Sequence, residues 1–350
     1  MFGLYRTLLA LLVVAQHLLQ IPVIGHYAVH GFFILSGYLM TYIMQQSYGY
    51  SLKGKINFAI NRFLRLFPSY WFLLFLSFLL VILFKEENSI AYRGFIFLPS
   101  TFFQFFQNIT LLYFDLFPGT VSPRLSPPTW ALTIELFFYL FIALGVSKNK
   151  RITILWLLMG VVYFLFTYIF KLNDTYRYNM IFAGSLPFSI GAMIYYFRTE
   201  LQEALKKYPT FMNFYFLFGS ILLNALLAMI AGKYDWLILV EINQVVNYFL
   251  NATIIIYLID NSPPAIDKKT DKLIGDFSYP LYLFHWQAGF AVSMLIWNEP
   301  IINMRLQGIV NCAGAVLFSV VISWLVIKFI DKPIEQIRKK IRTRINANDV

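Results

Sequence analysis

The sequence predicts an all-α protein, a polytopic bundle of about ten transmembrane helices, and three observations carry that prediction. Hydrophobic residues make up 59% of the 350 residues and charged ones 13%, against roughly 25% charged in an ordinary soluble domain. Apolar runs of near-membrane length recur along the whole chain. Short charged punctuations separate them, and no stretch has the composition of a sizeable soluble domain.

The expected spans, in order, are 5–21, 28–44, 66–84, 129–146, 152–170, 180–197, 210–230, 238–259, 277–297 and 307–330. Lys and Arg concentrate in alternate connections, which sets orientation through the bias of cations toward the cytoplasm. One set holds Lys53, Lys55, Arg62 and Arg65, then Lys148, Lys150 and Arg151, then Arg198, Lys206 and Lys207, then Lys268, Lys269 and Lys272. The tail from 332 adds six more cations, and the opposite set is sparse. Both termini are therefore expected in the cytoplasm. The apolar run at the N-terminus leads into further spans without a small-residue cleavage site, unlike a removable signal.

Residues 94–118 are rich in Phe and Leu but are interrupted by Pro99, Gln104, Gln107 and Asn108. A re-entrant or interfacial segment on the outer face fits them better than a span. The chain divides into a transmembrane domain over 1–333 and a basic cytoplasmic tail over 334–350. In the tail Ile334, Ile337, Ile341 and Ile345 form one helical stripe among cations. That pattern suits an interfacial amphipathic helix on anionic lipid, and a plain stop-transfer tail is the alternative.

Several function classes drop out. The net charge of +11 belongs to span edges, so nucleic acid is not an expected partner. No phosphate-cradling glycine loop and no metal-ligand spacing is present, so neither nucleotide hydrolysis nor a metal site is expected. The single cysteine, Cys312, excludes an internal disulfide.

Ionisable groups inside spans are costly and usually mark function. His17 lies roughly 18 Å into the first span at 1.5 Å per residue. Arg6, eleven positions earlier, projects from the same face at the cytoplasmic edge. Ser36 reaches a similar depth in span two. Glu135 enters span four from outside by about 9 Å, and His285 enters span nine from inside to about 12 Å. Together these groups form a base with an orienting partner, the arrangement that deprotonates a hydroxyl. A buried polar network or a proton pathway uses the same residue types. Arg62 and Arg65, one turn apart at the mouth of span three, suit phosphate oxygens.

Five segments, in order, resemble the acyltransferase-3 family of membrane acyltransferases, which includes O-acetyltransferases of bacterial surface polysaccharides. They are Arg6 with His17; the Phe32-Phe33-Ile34-Leu35-Ser36-Gly37-Tyr38 block; Arg62 and Arg65 with Pro68, Tyr70 and Trp71; Trp130 through Glu135 to Tyr139; and Ser278-Tyr279 with Tyr282, His285 and Trp286. The resemblance implies acetyl-CoA or another acyl-CoA as donor substrate, with no permanently bound cofactor. It implies His17 and Glu135 as catalytic residues, Glu135 orienting or charge-balancing the site, and donor binding at Arg6, Arg62 and Arg65. Ser36, Trp130, Tyr139, Tyr282 and His285 would line it. The expected acceptor is a glycan or lipid-linked saccharide, at the bacterial inner membrane. His30 departs from the family, which often has Asp there. No extracytoplasmic esterase-like domain, which some relatives possess, is expected from these residues, so the transfer would be finished by this chain, as a homo-oligomer, or by a separate extracytoplasmic transferase. The competing reading is a proton-coupled transporter or flippase for a lipid-linked or acylated substrate, with His17, Glu135 and His285 as a relay.

Overall fold

The computed structural model describes residues 2–113, 123–208 and 213–348, with side chains as far as Ile341. Among these residues every regular element is helical. The long ones are α1 (Gly3–Leu19), α2 (Ile24–Ile43), α3 (Leu52–Phe84), then, after two short helices α4 (Glu86–Tyr92) and α5 (Phe102–Thr110), α6 (Thr129–Leu144) and α7 (Lys150–Ile169). A five-residue α8 (Asp174–Tyr178) precedes α9 (Ser185–Lys206), α10 (Phe214–Lys233), α11 (Leu237–Asp260), α12 (Lys268–Trp297), α13 (Leu306–Val326) and α14 (Lys332–Asn348).

Six of the helical stretches are long and apolar enough to cross a membrane: Ile24–Tyr48, α3, α7, α10, α11 and Leu306–Ile341. α1 and α6 are shorter apolar helices. On α7 the exposed side chains include Leu155, Leu158, Met159 and Val162, an apolar face that only a lipid environment makes inexpensive. α12 differs in kind. Almost every residue from Ser278 to Met294 is buried among other helices, so it tolerates Ser278, His285, Gln287 and Ser293 where a lipid-facing helix would not.

α3 begins fourteen residues before the expected span, because Ser51 caps its first turn by accepting from the Gly54 N–H at 3.1 Å. At 1.5 Å per residue its 33 residues reach about 50 Å, longer than a hydrocarbon core of roughly 30 Å. The surplus puts Arg62 and Arg65 on a rigid helix. α5, nine residues long, is too short to span. Asn108 ties it down, donating to Pro123 O at 2.7 Å and accepting from the Leu125 N–H at 3.2 Å. The Trp71 indole donates to Ile109 O at 2.9 Å. Residues 114–118 of the expected re-entrant segment lie outside the described residues.

Small residues let the central helices approach closely, a substitute for hydrophobic driving force in lipid. A Cβ on Gly37 of α2 would fall 2.1 Å from the Phe188 carbonyl oxygen of α9, and one on Gly191 would fall 2.0 Å from Ile34 O. α1 and α12 touch in the same way, with Gly275 against Gly3. α14 is helical, as the isoleucine stripe suggests. Ile341 packs on the core while Ile337 is exposed, and the Ile345 side chain lies outside the described set.

Candidate active site

The site begins with a register clamp. Asp271 of α12 accepts from the Gly3 and Leu4 backbone N–H groups, both at 2.9 Å, satisfying two donors that the first turn of α1 leaves unpaired. The offset of 268 residues between Gly3 and Asp271 recurs between His17 and His285. α1 and α12 therefore run parallel and in step, and the clamp at one end delivers the two imidazoles to one level at the other.

There His17 Nδ1 and His285 Nε2 are 2.8 Å apart, and His285 Nδ1 is 2.7 Å from Tyr282 O. A carbonyl oxygen only accepts, so His285 carries its proton on Nδ1. With His285 neutral, its Nε2 accepts, and the proton between the rings sits on His17 Nδ1. His17 Nε2 is left with a bare lone pair. His285 is buried and His17 half-buried. Trp286 lies against His17 with ring centroids 4.9 Å apart, and the Arg93 guanidinium lies 5.0 Å from the Trp286 ring. Two adjoining cavities of about 500 and 280 Å³ share Gln16, His17, Arg93 and Trp286 in their walls. The second adds Trp130, Tyr178, His26 and Arg124.

A separate cavity of about 150 Å³ holds the other expected residues: Arg6 from α1, Ser36 from α2, Arg62 and Arg65 from α3, Glu135 and Tyr139 from α6, and Tyr282 from α12. Ser36 Oγ donates to Glu135 Oε1 at 2.8 Å and Tyr139 OH donates to Oε2 at 3.1 Å. Both carboxylate oxygens are thus held, in a chamber walled by three guanidinium groups. A carboxylate so held can balance the charge of the guanidinium groups around it.

The structure therefore separates Ser36 and Glu135, which share the arginine chamber, from His17, where depth arithmetic puts all three at a similar level. Along α1, Arg6 faces the first and His17 the second. Along α6, Glu135 and Tyr139 face the first and Trp130 the second, and along α12 the change comes between Tyr282 and Trp286. The arithmetic took every span to start on one plane. α6 instead starts inside the protein, below a buried connection over 123–128. Ser126 Oγ donates to Leu283 O at 2.9 Å, and Tyr282 OH donates to Pro128 O at 3.2 Å, which sets the start of α6 level with the middle of α12. Glu135 then lies about 9 Å further toward the arginines, with Tyr282 and His285 forming the layer between.

The sequence pattern gives no site role to Arg93, Arg124, Tyr178 or His26. Their positions depend on loops folding over α1 and α6, and no periodicity announces that. His30 is buried in an aromatic setting, 4.9 Å from the Tyr248 ring and 5.7 Å from Tyr178, and it lines neither chamber. Among the described residues, no group of three His, Cys, Asp or Glu could hold a metal ion.

Comparison with known proteins places the chain in a family. Over 135 residues the chain is 33% identical to YrhL of Bacillus subtilis (strain 168), a protein provisionally named a peptidoglycan O-acetyltransferase. The match spans 36% of this chain and only 20% of that protein. No solved structure matches significantly. The model of the acyltransferase domain matches residues 3–328, from the first turn of α1 to just past α13, and contains every residue of both chambers named above. The chain belongs to the acyltransferase-3 family, and six of its described helical stretches are long and apolar enough to cross a membrane.

Proposed function

We propose that the protein takes an acyl group, most simply acetyl, from cytoplasmic acyl-CoA and transfers it to a hydroxyl of a cell-surface glycan at a bacterial inner membrane. The observation that carries this reading is the stacking of an arginine-walled chamber beneath a histidine whose Nε2 is left unprotonated. Guanidinium groups suit the phosphates of a CoA donor, and Arg6, Arg62 and Arg65 line one chamber. The thioester arm would reach past Ser36, Glu135 and Tyr282 to the level of His17. The peptidoglycan substrate named for the Bacillus subtilis relative is one acceptor of the required class.

In the reaction, the acceptor hydroxyl enters the larger chamber and gives its proton to His17 Nε2 as its oxygen attacks the thioester carbonyl. The C–S bond breaks as the tetrahedral intermediate collapses, and the proton on His17 passes to the departing thiolate. His285 holds the tautomer of His17 and shares the positive charge that forms, as an orienting partner does in other base-assisted acyl transfers. Attack by His17 itself, through an acyl-imidazole, needs the same tautomer.

The test is turnover of labelled acetyl-CoA by detergent-purified protein, with hydrolysis and transfer to an added glycan both followed. Wild-type turnover, reduced by at least about 100-fold in His17→Ala, is expected. Full activity in a folded His17→Ala variant would refute the mechanism.

A further inference from the structure

α14 lies beyond the family match, which ends at residue 328, yet it is built into the arginine end of the protein. α13 continues through a π-helical turn at Ile327–Asp331 into α14, which lies against α3. Two bonds set its register. Ser69 Oγ donates to Asp331 Oδ1 at 2.6 Å, and Arg338 Nη2 donates to Asn61 Oδ1 at 3.1 Å. As residue numbers fall along α3 they rise along the tail, so the two run antiparallel and Arg338 arrives beside Arg62.

The same Asn61 oxygen also accepts from Arg62 Nη2, at 2.7 Å. One carbonyl thus holds two guanidinium groups side by side, and this crowding of like charge needs an anion to offset it. Glu335 supplies one, 2.7 Å from Arg338 Nη1. Arg62, Arg338 and Glu335 help wall a small cavity of about 40 Å³, two guanidinium groups facing one carboxylate. Among the described residues no protein group accepts from Nε of Arg62 or of Arg338, and Arg62 Nη1 meets only the Met40 thioether at 3.6 Å. Because Arg62 lines both this cavity and the arginine chamber, the two adjoin.

We propose that α14 completes the donor site, with Arg338 clamped beside Arg62 to bind the phosphate groups of acyl-CoA while the thioester arm extends into the arginine chamber. This rests on acyl-CoA being the donor. It gives the tail a role in donor recognition where its composition suggests only a lipid-surface helix. A phospholipid headgroup offers the same phosphate chemistry, so the experiment must separate the two.

The experiment measures steady-state transfer by the full chain in phosphatidylcholine vesicles, with and without phosphatidylglycerol. Acetyl-CoA is compared with S-acetyl-pantetheine, which has the thioester arm and no phosphate. Arg338→Gln is expected to raise KM for acetyl-CoA about tenfold, the size of one lost charge-assisted hydrogen bond. Its kcat and its KM for S-acetyl-pantetheine should match wild type. Glu335→Gln, which removes the competing carboxylate, should lower KM for acetyl-CoA. If Glu335→Gln instead raises it as Arg338→Gln does, the ion pair merely anchors the tail and the proposal fails. An equal penalty with S-acetyl-pantetheine also refutes it, as does a penalty confined to vesicles containing phosphatidylglycerol. A wild type that turns over acetyl-CoA beside an unaffected Arg338→Gln overturns this inference alone. A wild type inert toward acetyl-CoA overturns the donor assignment itself, and this inference with it.

Discussion

At the scale of single residues, the chemistry rests on which nitrogen carries a proton. The backbone carbonyl of Tyr282 sets the tautomer of His285, and His285 sets that of His17. Removing the middle member should therefore leave His17 in place but free to rotate and to adopt the wrong tautomer. His285→Phe keeps ring volume and deletes both hydrogen bonds. Its kcat is expected to fall about 100-fold with little change in KM for the donor, and steady-state kinetics with saturating acceptor checks this. Glu135 differs in kind, since Ser36 and Tyr139 occupy both of its oxygens. Glu135→Gln should weaken donor affinity more than the chemical step, because it alters the charge of the arginine chamber. A change confined to kcat would contradict the assignment.

At the scale of elements, the histidine pair depends on a contact some fourteen residues away on each helix, at about 1.5 Å per residue. Asp271→Ala frees two backbone donors at the head of α1. A cost of about 1–2 kcal/mol follows from the value of helix caps, with a thermal midpoint lower by several degrees in detergent. Because α1 can then slide against α12, activity should fall further than stability does, and Asp271→Asn should recover part of both. The α2–α9 contact gives a sharper test. A methyl group on Gly37 has only 2.1 Å to the Phe188 carbonyl oxygen, whereas one on Gly219 of α10 meets nothing within 4 Å. Gly37→Ala is expected to destabilise by about 3 kcal/mol and Gly219→Ala to be neutral or slightly stabilising. Equal melting temperatures for the two variants would mean that the close approach does not hold.

At the scale of the whole molecule, the two chambers call for sidedness, with donor and acceptor approaching from opposite ends. The cation bias predicts that the arginine chamber faces the cytoplasm. In a background where Cys312 is replaced by Ser, Lys53→Cys and Met304→Cys each place one exposed thiol on opposite sets of connections. An impermeant maleimide should label Met304→Cys in intact spheroplasts and reach Lys53→Cys only after lysis. The reverse pattern would invert the orientation and with it the proposed direction of transfer.

Much of this was legible in the chain because lipid leaves few options. Composition and apolar run length impose helices, since a backbone without water must satisfy its own hydrogen bonds. The motif residues of the family stand at readable spacings, so Arg6, His17, Ser36, Arg62, Arg65, Trp130, Glu135, Tyr139, Tyr282 and His285 could be picked out before any coordinates. What spacing could not supply was relative depth. That is set by where each helix starts and what it packs on: the buried connection that sinks α6, the Asp271 cap that holds α1 and α12 in step, and the packing of α14 on α3 that brings Arg338 to Arg62. Each depends on contacts between residues more than a hundred, often more than two hundred, positions apart. The sequence by itself determined an all-helical, apolar chain of the acyltransferase-3 family. Only the tertiary structure decided that His17 pairs with His285 and not with Glu135, because side chains meet according to helix register and burial, which local pattern does not encode.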